Sequence, residues 1–154
     1  MGGELTTPRL SKMISDKDRK AISSALWEST KSTFGRVKIG AVVTAKTGEA
    51  VGYGFNHRRT HPRQYEANKR TGRQIENPCL HAEMAAILDT EDYEFAYTLL
   101  KPHTIYVARL DRTGKWANCK PCAACHSEIE RAGIRRVVYT TEQGIEEYKV
   151  NACG

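Results

Sequence analysis

His81-Ala82-Glu83-Met84-Ala85-Ala86-Ile87-Leu88 and, further along, Pro121-Cys122-Ala123-Ala124-Cys125 decide how this chain is read. Together they supply one imidazole and two thiols for a metal, with a carboxylate beside them. Three protein ligands leave the fourth position of a tetrahedral zinc open to water, which is the arrangement of a catalytic rather than a structural site. Cys122 and Cys125 are three residues apart, so on a helix they share one face. Pro121 suits the first turn of that helix, where its missing N–H costs nothing. The positive end of the helix dipole favours thiolates, the form that binds metal. His81 opens a second helical run and completes the ligand set for Zn2+. Glu83 is left over, because a fourth ligand would close the site. Its expected role is proton transfer: it takes a proton from a water that the metal acidifies to a pKa of roughly 7, then returns protons to the reacting molecule as general acid. Backbone N–H groups near Ala82 and Cys122 stand at helix starts, where they suit a substrate or a developing negative charge.

Each half of the pattern has an ordinary reading. A lone Cys-x-x-Cys is often a redox pair or half of a structural zinc site, and a lone His-x-Glu occurs by chance. The two together, with Pro before the first Cys and alanines around the Glu, are far more specific. Cys119-x-x-Cys122-x-x-Cys125 leaves a choice of thiols. The alternative is a four-cysteine structural zinc on Cys79, Cys119, Cys122 and Cys125. Pro121 and the helical run after Cys122 favour the second pair.

At these residues the chain resembles the cytidine deaminase-like superfamily of zinc-dependent deaminases, whose signature is H-x-E followed by P-C-x-x-C. The resemblance extends over roughly residues 15–150. Ile39-Gly40-Ala41-Val42-Val43 looks like the family's first strand, which lines the base pocket, so Ala41 joins Ala82 among the expected substrate contacts. Gly52-Tyr53-Gly54-Phe55-Asn56 looks like the second strand, ending in an asparagine that in many members hydrogen-bonds the substrate's sugar. Thr104-Ile105-Tyr106-Val107 resembles the third strand, and Gly133-Ile134-Arg135-Arg136-Val137-Val138-Tyr139 the strand after the cysteine helix. The resemblance implies a three-layer α-β-α fold, a mixed five-stranded sheet with helices on both faces. It also implies hydrolytic deamination, with water attacking the amine-bearing carbon and ammonia leaving, and a homo-oligomer.

At 154 residues the chain is read as one α/β domain over 15–154 behind a loose leader at 1–14. Hydrophobic content of 40% and charged content of 27% suit a globular protein rather than a disordered one. No apolar run approaches the roughly 20 residues a membrane span needs, and no secretory signal is visible. Met1-Gly2 with Thr6 fits a myristoylation pattern, but Gly3 and Glu4 favour a chance match. Five cysteines, two of them claimed by zinc, argue against a disulfide framework and for a reducing, cytoplasmic setting. Cys79 and Cys119 read as buried small hydrophobes, with a second metal involving His57 or His61 as the alternative. Cys153 reads as incidental.

Along the chain, Ser15 is a candidate N-cap for a helix presenting Ile22, Ala25, Leu26 and Thr30 on one face. Strands are expected at Lys38–Ala45 and Ala50–Phe55, joined by a turn at Thr47-Gly48. Residues 56–78 read as a long loop with a short helix near Arg63–Lys69. The His81 helix should run to about Asp89, with a further short helix over Asp92–Leu100. A strand follows at Thr104–Leu110, then a loop, then a helix Cys122–Ala132 ended by Gly133. Arg136–Thr141 and Ile145–Val150 read as a hairpin around a Gly-containing loop, so the last strand should be antiparallel. In the superfamily an antiparallel last strand goes with free-nucleoside deaminases and some toxin-type deaminases. A crossover helix and a parallel last strand go with the deoxycytidylate, tRNA-adenosine and AID/APOBEC-like types. Free cytidine deaminases, however, usually carry Cys where this chain has His81, so the two clues pull apart and no one subfamily is assigned.

Net charge is +6, concentrated between His57 and Arg73, where Arg58, Arg59, Arg63, Lys69, Arg70 and Arg73 face Glu66 alone. This loop joins Asn56 to His81, so Arg58 and Arg59 are candidates to hold a substrate phosphate. A merely solvated basic loop is the ordinary reading. The same charge could instead track a polynucleotide backbone, with Trp116 stacking a base or sugar. An ordinary partly buried anchor is the other reading of Trp116, while Trp27 and Tyr65 read as core and surface aromatics. The first expectation is therefore deamination of a free cytosine nucleoside or nucleotide, dCMP or deoxycytidine above others, in pyrimidine salvage. The second is deamination of cytosine, or less readily adenine, in single-stranded DNA or RNA. A zinc-stabilised nucleic-acid-binding module, with Glu83 idle, is the third.

Overall fold

A computed structural model describes residues 14–92 and 100–151. The expected helix over Asp92–Leu100 falls almost wholly outside them, as do Cys153 and nearly all of the leader. Helix α1 (Asp16–Ser29) starts at a full capping box: Ser15 Oγ accepts from Asp18 N, and the Asp18 carboxylate accepts from Ser15 N, each at 3.2 Å. Strands β1 (Ile39–Ala45) and β2 (Ala50–Phe55) form a hairpin. Helices α2 (Pro62–Arg70) and α3 (Ala82–Glu91) follow. Strand β3 (Pro102–Arg109), helix α4 (Ala123–Arg131) and strands β4 (Arg136–Thr141) and β5 (Gly144–Lys149) complete the order.

The sheet runs β2-β1-β3-β4-β5. Only β3 and β4 are parallel, joined by the crossover that contains α4; β5 returns antiparallel to β4, as the short Gly-containing turn requires. Helix α1 covers one face and α3 and α4 the other, which makes the expected three-layer α-β-α arrangement. Alternation along the central strands builds the two cores. Ala41, Val43, Ile105 and Val107 pack towards Ala86, Ile87 and Ile129, while Val42, Tyr106 and Val138 pack towards Ile22 and Ala25. Because both faces are covered, β1 and β3 read as continuous apolar runs. Among the described residues no helix is long and apolar enough to cross a membrane.

The face of α1 differs from expectation. Asp18, Ile22, Ala25 and Ser29 are buried, whereas Thr30 is the exposed C-cap and its hydroxyl donates to Trp27 O. Asp18 is buried because Arg136 grips it with two 2.8 Å bonds and the Tyr106 hydroxyl donates to it at 2.6 Å. Trp27 lies 68% exposed rather than in the core. Strand β3 begins earlier than expected, at Pro102, which is tolerated as the first residue of a strand beside a register shift.

Two glycines decide where α3 lies. A Cβ on Gly54 would sit 2.3 Å from Ala86 N and 2.6 Å from Ala82 O, and one on Gly52 would meet Ala86 O at 2.5 Å. Helix α3 therefore rests directly on the backbone of β2, with its N-terminus fixed over the strand end. Gly54→Ala should destabilise the fold by about 1–3 kcal/mol through overpacking, read as a lowered midpoint in urea unfolding. An unchanged midpoint would show that α3 can lift off β2 at no cost.

Candidate active site

His81 is the N-cap of α3, and Cys122 is the N-cap of α4. An N-cap side chain ordinarily turns back to accept from its own helix. Neither does so here, and both point instead into the gap between the two helix starts. Pro121 stands just before the N-cap rather than in the first turn, and Cys125, in the first turn of α4, comes round to the same side. The helix starts thus bring together His81 Nδ1, Cys122 Sγ and Cys125 Sγ, with all three atoms within 4.8 Å of one another. The imidazole nitrogen is 3.2 Å from Cys125 Sγ and 3.6 Å from Cys122 Sγ. Zinc–ligand distances of about 2.0–2.3 Å give a tetrahedron with edges of about 3.3–3.8 Å, so the donor set and its spacing fit the ion. No other such group occurs among the described residues.

The electrostatics favour thiolate at this point. Hydrogen bonding from the Cys125 thiol, opposed by burial and reinforced by His81, brings Cys122 down to about 3. Cys125 is pushed up, first by its bond to Cys122 and then by burial and the nearby Glu83. The His81 imidazole is moved up: burial pulls it down, but the bond to Cys122 and the charge of Glu83 outweigh that. Glu83 lies at 5% exposure beside Cys125, and burial raises its carboxyl despite the opposing pull of His81. A carboxyl raised by burial is one that holds and releases protons nearer neutrality.

Above these groups opens a cavity of ≈ 340 Å³, within the range of about 300–1,000 Å³ usual for small-molecule sites. Its wall is apolar at Phe34, Val37 and Ile39, and polar at Asn56, Asn118 and Lys120. Asn56 is 6% exposed; its Oδ1 accepts from Ile39 N at 3.0 Å and its Nδ2 donates to Val37 O at 2.7 Å. One N–H and one lone pair of the amide remain beyond these bonds. Ala41 and Ala82 lie under the site in the core, fully buried, and do not line the cavity.

The remaining expected contacts are placed elsewhere. Trp116 packs against the α1-side cluster, on the other face of the sheet from His81. An isolated antiparallel bridge pairs it with Leu110, and the loop between is tightened by Asp111 Oδ1, which accepts from Thr113 and Lys115. Trp116 is thus the anchor of the two readings, not a stacking platform in the cavity. Arg58 and Arg59 are exposed and do not line the cavity, although the His57–Leu80 bridge keeps them close to its rim. Arg63 pairs with Glu91 at 2.7 Å and Glu128 at 3.5 Å, and Arg70 with Glu128 at 3.7 Å, so part of the basic loop's charge is spent internally. His61 Nδ1 caps α2 by accepting from Arg63 N, which removes it from a second metal group.

Cys119 is buried and its thiol donates to Val107 O at 3.2 Å; burial pushes it up to about 12. It is a packed thiol at the edge of the cavity, whereas Cys79, which also lines the cavity, is half-buried rather than buried. Lys120 is a cavity residue that the sequence reading leaves out, although its place between Cys119 and Pro121 signals it. Phe34 and Val37 carry no such signal, since they precede the first strand in an irregular segment.

Over residues 15–141 the chain matches the cytidine and deoxycytidylate deaminase zinc-binding region. It belongs to that family of zinc-binding deaminases. By sequence alone, no curated protein matches it. Among solved structures it is similar to cytidine deaminase from Burkholderia pseudomallei, with TM-score 0.60 and 17% identity over 85% of this chain and 91% of that one. It is also similar to dCMP deaminase from the cyanophage S-TIM5 in complex with dCMP and dUMP, with TM-score 0.53 and 19% identity over 82% of each chain. Cytidine deaminase from Mycobacterium leprae follows at TM-score 0.52 and 15% identity, over 84% and 91%. At these identities the likeness is one of fold.

The thiol assignment can be checked by zinc content. Purified protein should hold one zinc, Cys122→Ser and Cys125→Ser should lose most of it, and Cys119→Ser should keep it. Loss from Cys119→Ser with retention by Cys122→Ser would reverse the assignment.

Proposed function

We propose that this chain is a zinc-dependent hydrolytic deaminase of a free cytosine nucleoside or nucleotide, with dCMP or deoxycytidine as substrate. The observation that carries this reading is the buried Glu83 carboxyl beside His81, Cys122 and Cys125 at the floor of a cavity of nucleoside-binding size. His81, Cys122 and Cys125 would hold the ion, which when bound supplies an acidified water. Glu83 would take up a proton from the attacking water and deliver protons to the ring nitrogen and then to the departing amine. The balance is one water added, one carbon–oxygen bond formed, the exocyclic carbon–nitrogen bond broken and one ammonia released. The backbone N–H groups at the start of α4 face the same gap and suit the developing charge. Phe34, Val37 and Ile39 supply an apolar wall for a base, and the spare hydrogen-bonding capacity of Asn56 suits a sugar hydroxyl.

The choice between nucleoside and nucleotide turns on cations at the rim. Lys120 lines the cavity, and Arg58 and Arg59 follow closely on Asn56. We place a single phosphate among these three. The solved relative that holds dCMP and dUMP supports a phosphorylated substrate for this fold. A polynucleotide is less favoured, because Trp116 faces α1 and Arg63 and Arg70 are held by acids.

Glu83→Gln should abolish ammonia release, by at least about 10²-fold as for the loss of a general acid–base group, with zinc content unchanged. Residual turnover near the wild-type rate would remove Glu83 from the chemistry, whereas wild-type protein that holds zinc but turns over no substrate would leave a zinc-stabilised binding module. Turnover should be measured on cytidine, deoxycytidine, dCMP, dCTP, adenosine and a cytosine-containing single-stranded oligonucleotide. Turnover of the oligonucleotide alone would replace the small-molecule reading.

Charge reversal tests the rim. Lys120→Glu, and the pair Arg58→Glu with Arg59→Glu, should raise KM for dCMP about tenfold or more while sparing deoxycytidine. This follows from the loss of charge-assisted phosphate contacts, worth about 1.5–3 kcal/mol each. Equal effects on both substrates would show that no phosphate is bound there.

A further inference from the structure

Helix α2 is built from the middle of the basic segment, yet its inner face carries two neutral amides beside Ala67. Gln64 is fully buried and Asn68 is 4% exposed. The Gln64 Oε1 accepts from the backbone N–H of His81 at 3.0 Å. Its Nε2 donates to Asn68 Oδ1 at 2.9 Å, and Asn68 Nδ2 donates to Gln74 O at 2.7 Å. Two side-chain amides thus form a one-way chain of three hydrogen bonds, from the backbone N–H of a metal-binding residue to the carbonyl of Gln74. Each donor has an acceptor, so the amide of Gln64 cannot flip without losing both its bonds.

The helix that carries this chain is itself held from two sides. Arg63 reaches Glu91 on α3 at 2.7 Å and Glu128 on α4 at 3.5 Å, and Arg70 reaches Glu128 at 3.7 Å. Ala67 of α2 packs with Met84 of α3 and Ala124 of α4. Helix α2 therefore braces the two helices whose first residues are His81 and Cys122. Gln64 is the point at which that brace touches a ligand directly. A side chain at an N-cap can leave its helix and face a metal only if its backbone is fixed by something else. For His81 the fixing groups are Gln64 on the N–H and the first turn of α3, through Ala85 N, on the C=O.

We propose that Gln64 is a positioning residue for the metal, its buried amide setting the direction in which His81 presents Nδ1. The inference rests on the zinc reading of His81, Cys122 and Cys125 and extends it to a residue that touches neither metal nor substrate. Outer partners that orient a ligand are typically worth about 10–100-fold in metal affinity.

The test is zinc affinity of the full chain, measured by competition with a chromophoric chelator, alongside the melting temperature of the metal-free protein and the visible spectrum of the Co2+ form. Gln64→Met keeps length and burial but removes the acceptor, and should weaken zinc about 10–100-fold and alter the Co2+ bands. Gln64→Glu keeps an acceptor for His81 N–H and should recover most of that loss. If Gln64→Met lowers the metal-free melting temperature but leaves zinc affinity and the Co2+ spectrum as in wild type, Gln64 is a packing residue and the proposal fails. Should Gln64→Met not fold, Asn68→Ala decides: it frees the Gln64 amide to rotate, and an unchanged zinc affinity overturns the proposal while a several-fold loss supports it. Wild-type protein that binds no zinc would sink the zinc reading itself, an outcome distinct from normal binding in every variant.

Discussion

The contact of α3 with the bare backbone of β2 underlies everything else in this molecule. Gly52 and Gly54 present no side chains, and α3 comes down onto the strand until its own backbone is the next layer. That contact sets the height and the direction of the helix start. His81 and Glu83 are then fixed relative to β1 and β2, whose far ends supply Ile39 and Asn56 to the cavity. A helix standing a Cβ further away would carry the imidazole out of reach of two thiols that come from a different crossover. Packing density, rather than any bond to the imidazole ring, is what makes the three donors meet.

The second constraint is the burial of acids without neutralising their purpose. Asp18 and Glu128 are also carboxylates in nearly dry surroundings, but each is answered by arginines: Asp18 by Arg136, which also binds Glu147, and Glu128 by Arg63 and Arg70. Among the described residues no arginine pairs with Glu83. Its neighbours are His81 and the two thiols. Burial works against the Asp18 carboxylate, but Arg136 and Tyr106 hold its carboxyl low, whereas burial raises the carboxyl beside the metal ligands. That contrast separates the candidate catalytic group from acids of equal burial.

The donors and the carboxylate are legible in the sequence because each set is local. His81 with Glu83, and Cys122 with Cys125, lie within a turn of helix, and the spacing survives any tertiary context. The order of elements along the chain and the antiparallel β5 are legible for the same reason, since the turn between β4 and β5 leaves no room for a crossover. What sequence misses is what depends on direction or on distant partners. Trp116 has the right composition and the right neighbourhood, but it packs against the cluster on the α1 face of the sheet. The charge of residues 57–73 can be counted, yet Glu91 and Glu128 lie 28 and more residues from the arginines that they hold. Gln64 gives no periodic signal at all, because its partner is a backbone N–H 17 residues away. Lys120 is signalled by its place between Cys119 and Pro121, and the structure adds that it lines the cavity.

Thr140 has a quieter effect on that same stretch. Its hydroxyl lies between strand and loop, accepting from Arg109 N at 3.1 Å and donating to Ala117 O at 2.9 Å, while its carbonyl accepts from Cys119 N. The chain is therefore stapled to β4 both where it leaves the sheet and where it comes back, before it reaches Pro121. Whatever lies between Leu110 and Trp116 is a closed excursion, and its length is invisible to the thiols downstream. Loop closure is only weakly sensitive to length, so this segment can be lengthened or shortened over evolutionary time without retuning the metal geometry. In this architecture the freedom to vary and the need to hold still are separated by a single threonine.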